Sequence, residues 1–162
     1  MKFCLIDRIV ELESGTSVKA LKNLSMAEEY LQDHFPGFPV MPGVMQIEAL
    51  VQTSAWLMRE AEQFRYSAVL LKEVKAVRFN SFVPPGKTLE ITSQVHKREE
   101  RFWTFKAQGT MDGTSTVNAR ITLEQFNLSD ENPNFARSDE LRIEKLRQQF
   151  STLWRPTATQ AS

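Results

Sequence analysis

Prolines fall at every third position from 36 to 42 (Pro36, Pro39, Pro42), with glycines at 37 and 43, and no other stretch restricts the chain as strongly. Proline fixes φ, gives up a backbone donor and disfavours helix in the residue before it. Residues 34–43 are therefore predicted to form a stiff extended loop, neither a helix nor a ladder strand. Pro42 suits the first position of a helix, where its missing N–H costs nothing. A helix is predicted from there over about 43–63. Val44, Ile47, Leu50, Val51, Ala55, Trp56, Leu57 and Met58 cover most of its circumference. A helix apolar on nearly every side is a buried one. Charges return at Arg59, so its far end should surface.

Around this helix the sequence reads as strands. Residues 3–13 and 16–24 flank a turn at Gly15, and 66–79 is a third candidate. Pro84-Pro85-Gly86 is a turn. Leu89, Ile91, Ser93 and Val95 alternate over 88–97, Trp103, Phe105 and Ala107 share one face over 101–110, and Val117, Ala119, Ile121 and Leu123 alternate over 115–125. Asp112-Gly113 marks a hairpin. Ser25-Met26-Ala27-Glu28 fits a capping box opening a short helix to about residue 32. Several antiparallel strands and one long buried helix make an α+β domain. Residues 127–136 turn polar and read as a linker, and 138–154 place Ile143, Leu146, Phe150 and Leu153 at helical spacing. One domain over 1–126, followed by a linker and amphipathic helix over 127–162, is the expected organisation.

Charge excludes several function classes. The 20 basic and 20 acidic side chains balance, whereas a nucleic-acid binder normally carries a basic excess. A polybasic membrane-surface protein is disfavoured for the same reason, and no apolar run is long enough to span a bilayer. The apolar run at 3–6 is too short for a signal peptide, so a cytoplasmic protein is expected. Cys4 is the only cysteine, expected as a small buried hydrophobe at the start of a strand. It permits no internal disulfide and no cysteine zinc site, and two histidines, His34 and His96, permit no histidine-rich metal site. His96 lies in a charged run and is expected at the surface.

The chemistry concentrates on the buried helix. Glu48 and Gln52 sit four apart, hence on one face. An ionised carboxylate is costly to bury, so it finds partners or takes up a proton. Kept protonated it is a general acid; satisfied by backbone N–H groups or at a subunit interface, it is only structural. His34 stands at the head of the proline-rich loop that leads to this helix. A base, an acid and the free N–H groups of a helix N-terminus are what proton abstraction beside a carbonyl requires.

His34-Phe35-Pro36-Gly37-Phe38-Pro39-Val40-Met41-Pro42-Gly43-Val44-Met45-Gln46-Ile47-Glu48-Ala49-Leu50-Val51-Gln52 closely resembles the signature of the 3-hydroxyacyl carrier-protein dehydratases. The nearer branch is FabZ-like, in which the acid is Glu; the FabA-like branch has Asp there. Ile6-Asp7-Arg8-Ile9 resembles the family's opening strand, Val77-Arg78-Phe79 with Val83-Pro84-Pro85-Gly86 its post-helix segment, and Met111-Asp112-Gly113 its last hairpin. The resemblance covers roughly 3–125. It implies a hotdog fold, an antiparallel sheet wrapped around a long central helix. It also implies a homodimer, or a trimer of such dimers, whose sites join His34 of one subunit to Glu48 of the other. An extended path over 34–42 spans about 25 Å, which agrees with that separation. The implied reaction is dehydration of a (3R)-hydroxyacyl thioester on acyl carrier protein to the trans-2-enoyl thioester, in fatty-acid or related lipid or polyketide synthesis. In it His34 removes a C2 proton, the Gly43 N–H polarises the thioester carbonyl, and Glu48 protonates the leaving hydroxyl. Gln52 orients Glu48, and the Val40 carbonyl holds the His34 tautomer. No cofactor is implied.

Asp33 stands where most relatives have Gly; it either weakens His34 as a base or faces water. An acidic carrier protein suggests a basic patch, with Lys72, Lys75, Arg78, Lys97, Arg98 and Arg101 as candidates. The tail from 127 lies outside the resemblance and is expected to pack on the domain's own sheet or on a partner subunit, the alternative being a carrier-protein dock or a gate over the acyl tunnel. Competing readings are a hotdog thioesterase, an isomerising dehydratase and a non-catalytic acyl-binding subunit. Retention of both His34 and Glu48 argues against the last.

Overall fold

Alternating apolar residues build one six-stranded sheet. The computed structural model describes residues 4–156. In chain order the elements are β1 (Arg8–Glu13), β2 (Ser17–Asn23), α1 (Tyr30–Asp33), α2 (Gly43–Ala61), β3 (Ala68–Phe79), β4 (Thr88–Arg98), β5 (Phe102–Met111), β6 (Thr114–Phe126) and α3 (Ala136–Leu153). Strand order is β1-β2-β4-β5-β6-β3, antiparallel throughout. The period-2 pattern sends Leu89, Ile91, Trp103, Phe105, Val117, Ile121 and Leu123 to one face, where all are buried. That face wraps α2, which buries Ala49, Leu50, Ala55, Trp56, Leu57 and Met58 against it. The result is the hotdog fold. One polar tie fixes the helix on the sheet: the Ser54 and Ser93 hydroxyls meet at 2.6 Å, both fully buried.

Four local expectations change. The proline-rich loop is not extended throughout. Phe38 N–H donates to the Phe35 carbonyl at 2.9 Å, and Gly37 takes φ +84°. Pro36 before a left-handed Gly37 is the type II turn pattern, so the chain folds back before running straight through 39–42. The capping box at Ser25 does not form. Ser25 Oγ accepts from Ala27 N–H at 3.2 Å, but Glu28 turns away to Lys22 Nζ at 2.7 Å, and the helical turn begins only at Tyr30. An ion pair with a nearly buried lysine outcompetes a cap. Cys4 is exposed and lies before the first strand rather than in it.

The fourth change concerns the end of α2, which α3 covers instead of leaving at the surface. Phe150 packs against Trp56 and Phe64 with ring centroids 5.9 and 5.4 Å away. Arg147 donates to the Gln63 carbonyl at 2.7 Å and lies over the Phe64 ring. Arg59 lies over Trp56, and burial together with Arg142 holds its guanidinium down at about 10. The segment read as a linker is built of two 3-10 turns, Leu128–Asp130 and Pro133–Phe135. Asp139, in the first turn of α3, fastens it by accepting from the Leu128 and Ser129 N–H groups at 3.0 and 2.9 Å and from the Ser67 hydroxyl. Trp154 forms a parallel bridge with Ile9, covering the β1 edge.

Candidate active site

The Pro36–Gly37 turn brings His34 back to the start of α2. A cavity of about 460 Å³ is bordered by His34, Val40, Gly43, Gln46, Phe79 and Asn80, among others. Pro42 is the N-cap rather than the first helical residue, so the helix proper begins one residue later, at Gly43, and the Pro42 carbonyl accepts from Met45 and Gln46 N–H. The Gly43 N–H is at the first helical position, where no intrahelical acceptor exists, and it adjoins this cavity. A side chain at Gly43 would put its Cβ 2.8 Å from the Phe79 ring, so only glycine leaves that ring in place. His34 is exposed, with its ring edge-on to Phe35 at 4.2 Å. Val40 borders the same cavity, without a hydrogen bond from His34 to its carbonyl among the described residues. Asp33 is exposed and forms no ion pair with His34 among the described residues, which answers to the water-facing alternative.

Glu48 is half-buried and fixed by its neighbour. Gln52 Nε2 donates to Glu48 Oε1 at 3.0 Å, while Gln52 Oε1 accepts from Leu5 N–H at 2.9 Å. The second bond sets the orientation of the amide, so its donor end faces the carboxylate. Glu48 lines neither the 460 Å³ cavity nor the second depression, about 390 Å³, that His34 shares with Val44 and Met45. Within one chain His34 and Gly43 border one cavity, Glu48 and Gln52 are hydrogen-bonded to each other, and neither of these two cavities is lined by both pairs. Val44, one turn before Glu48 on the same helix face, is 71% exposed. Phe35, Phe79 and Phe82, which border the cavity, are exposed as well. An apolar rim of this kind marks a surface that something covers.

Sequence reasoning missed Gln46 on α2 as a lining residue, and also Phe79, Asn80 and Ser81, whose approach depends on where β3 ends against the helix. Of the suggested basic patch, Lys72, Lys75, Lys97, Arg98 and Arg101 are each ion-paired with a glutamate, and only Arg78 has no ion pair among the described residues. No group of three or more His, Cys, Asp or Glu side chains is arranged around a possible metal position among the described residues. No described helix is long and apolar enough to cross a membrane.

The sequence matches the FabA-like domain family over residues 1–120. It is 39% identical over 120 residues to the 3-hydroxyacyl-(acyl-carrier-protein) dehydratase FabZ of Polynucleobacter necessarius, covering 74% of this chain and 80% of that protein. It is 40% identical over 118 residues to the FabZ dehydratase of Latilactobacillus sakei, covering 73% and 84%. Among solved structures, the dehydratase heterocomplex ApeI:P of Xenorhabdus doucetiae superposes with TM-score 0.66 at 21% identity, over 82% of this chain and 90% of that one. The PaaI protein of Escherichia coli superposes with TM-score 0.57 at 11% identity, over 72% and 81%. These two likenesses are of fold. The family match spans the loop, the helix and the sheet as far as the middle of β6, and on it and the curated relatives the chain belongs to the FabA-like family.

Proposed function

We propose that this chain dehydrates (3R)-hydroxyacyl thioesters borne on acyl carrier protein to trans-2-enoyl thioesters, with residues 1–126 holding the chemistry and the segment from 127 through α3 bracing them. The observation that carries the reading is the division of the site: His34 beside a free helix-start N–H in one cavity, and a Gln52-oriented Glu48 on an open face of the same helix. Two antiparallel copies would bring one pair to the other. The curated relatives named as FabZ dehydratases support the same reaction.

In this reading His34 takes the C2 proton. The thioester carbonyl, hydrogen-bonded by the Gly43 N–H, stabilises the developing enolate. The C2–C3 double bond forms as the C3–O bond breaks, and Glu48 supplies the proton that turns the hydroxyl into water. β3 is a twelve-residue edge strand exposing Leu70, Leu71, Val77 and Phe79, an edge that soluble proteins seldom leave open. Pairing with a second copy there gives the homodimer, and further association gives a trimer of dimers. A cytoplasmic location follows from the carrier-protein substrate.

The test is turnover of a 3-hydroxyacyl carrier-protein or pantetheine thioester. His34→Ala and Glu48→Gln should each lower kcat by about a hundredfold or more, the scale of losing a general base or acid. An inactive wild type, or full activity in either variant, overturns the assignment.

A further inference from the structure

The outer face of the sheet, away from α2, carries a charge arrangement that the dehydratase chemistry does not use. Lys75 on β3 is directly opposite Arg120 on β6, and Arg120 is directly opposite Lys106 on β5. Three cations thus stand in one row across three adjacent strands. Strands lie about 4.8 Å apart, and like charges directly opposite are destabilising. Arg78 joins them in the next row, opposite Asn118. It reaches that face only because a bulge between Lys75 and Arg78 adds a residue, with Ala76 forced to φ +52°. Without the bulge Arg78 would point to the other face.

Around this centre most cations are neutralised, Arg8 at the β1 edge being without an ion pair among the described residues. Lys19 pairs with Glu11 and Glu90, and Lys72 and Arg101 pair with Glu124. In the centre, Lys106, Arg120 and Arg78 form no ion pair among the described residues, and Lys75 alone is paired, with Glu73 at 3.0 Å. A groove of about 340 Å³ lies here, bordered by Lys106, Arg120, Gln94, Gln108 and Asn118. Arg120 also borders the neighbouring depression that Lys75 enters. The arrangement is a cationic centre, amide side chains that donate and accept around it, and acidic residues only at the rim.

We propose that this groove binds a compact phosphorylated ligand of nucleotide size, its phosphoryl groups held by Lys106 and Arg120 with Lys75 and Arg78 alongside. Arginine and lysine together suit phosphoryl oxygens, and the amides supply uncharged contacts for the rest of the ligand. An extended acidic protein surface fits less well, because it would lie over Glu73, Glu90 and Glu124 at the rim, whereas a small anion sits between them. The inference is independent of the dehydratase reading, and its readout is binding rather than turnover.

The experiment is calorimetric titration and thermal denaturation of the full chain with sodium pyrophosphate and with ADP, at fixed ionic strength. Saturable binding is expected, with a rise in Tm. Arg120→Gln and Lys106→Gln should each weaken pyrophosphate by at least about tenfold, the scale of one lost charge-assisted contact. Both variants should also melt above the wild type when no ligand is present, since they relieve like-charge opposition. ADP tighter than pyrophosphate assigns a nucleotide; equal affinities assign an inorganic phosphate source. Absence of saturable binding, unchanged binding in Arg120→Gln, or an equal Tm rise with sulfate would each overturn the proposal, as would occupancy by an acidic polypeptide alone.

Discussion

Gln52 is held at both ends, and that makes it more than a neighbour of Glu48. Its Oε1 is fixed by Leu5 N–H and its Nε2 by the Glu48 carboxylate, so the acid inherits its position from the N-terminal segment through a single amide. In the proposed mechanism, a donor aimed at Oε1 leaves the other carboxyl oxygen to carry and deliver the proton. Misplacing a catalytic group by about 1 Å can cost on the order of a hundredfold. Gln52→Ala is therefore expected to lower kcat by roughly ten- to a hundredfold while KM changes little. Steady-state kinetics on a soluble thioester separates the two parameters. A rise in KM with kcat preserved would assign Gln52 to substrate binding instead. Gly43 acts at the same scale through a missing atom: its bare Cα is what lets Phe79 approach the helix start.

Among the elements, α3 is the one that the motif-bearing part of the chain does not need, and its attachment rests on a few named contacts. Apolar contact comes from Phe150 on Trp56 and Phe64, and the polar anchor is Asp139. Burial alone would push the Asp139 carboxyl up, but the hydrogen bonds from Ser67, Ser129 and Leu128 outweigh it and hold the group down at about 2. A folded-state value below the unfolded one means that the anchor's stabilisation is fully present above about pH 4. It is lost as pH falls through about 2. Asp139→Asn should cost about 1–3 kcal/mol at pH 7, as expected when buried donors lose a charged acceptor. Urea titration at pH 7 and near pH 2 checks this, because the gap between variant and wild type should close in acid. A constant gap would show that packing rather than the carboxylate holds α3.

At the scale of the whole molecule, the strands and the central helix were legible because they rest on periodicity: Leu89 to Val95 and Val117 to Leu123 alternate, and α2 is apolar around most of its girth, whereas the hotdog arrangement was legible only through the resemblance carried by the His34–Gln52 motif. The site residues were legible because a long, uncommon spacing carries them. What escaped was set by contacts between distant segments. Glu28 prefers Lys22 to a helix cap, Phe150 arrives from far along the chain to cover Trp56, and Phe79 reaches Gly43 across the sheet end. The contact that the proposed mechanism needs most would lie beyond a single chain. His34 and Gly43 border one cavity, Glu48 does not, and Val44 beside it is open. If two copies complete each other, a mixed dimer of His34→Ala and Glu48→Gln chains has one site with both defects and one with none. Random reassortment of equal amounts makes half the dimers mixed, so activity should recover to about one quarter of wild type. Unfolding and refolding the two inactive variants together, then assaying turnover, measures it. Recovery near that level requires sites shared between subunits, whereas no recovery in a mixture shown to contain mixed dimers would place both residues of each site in the same chain.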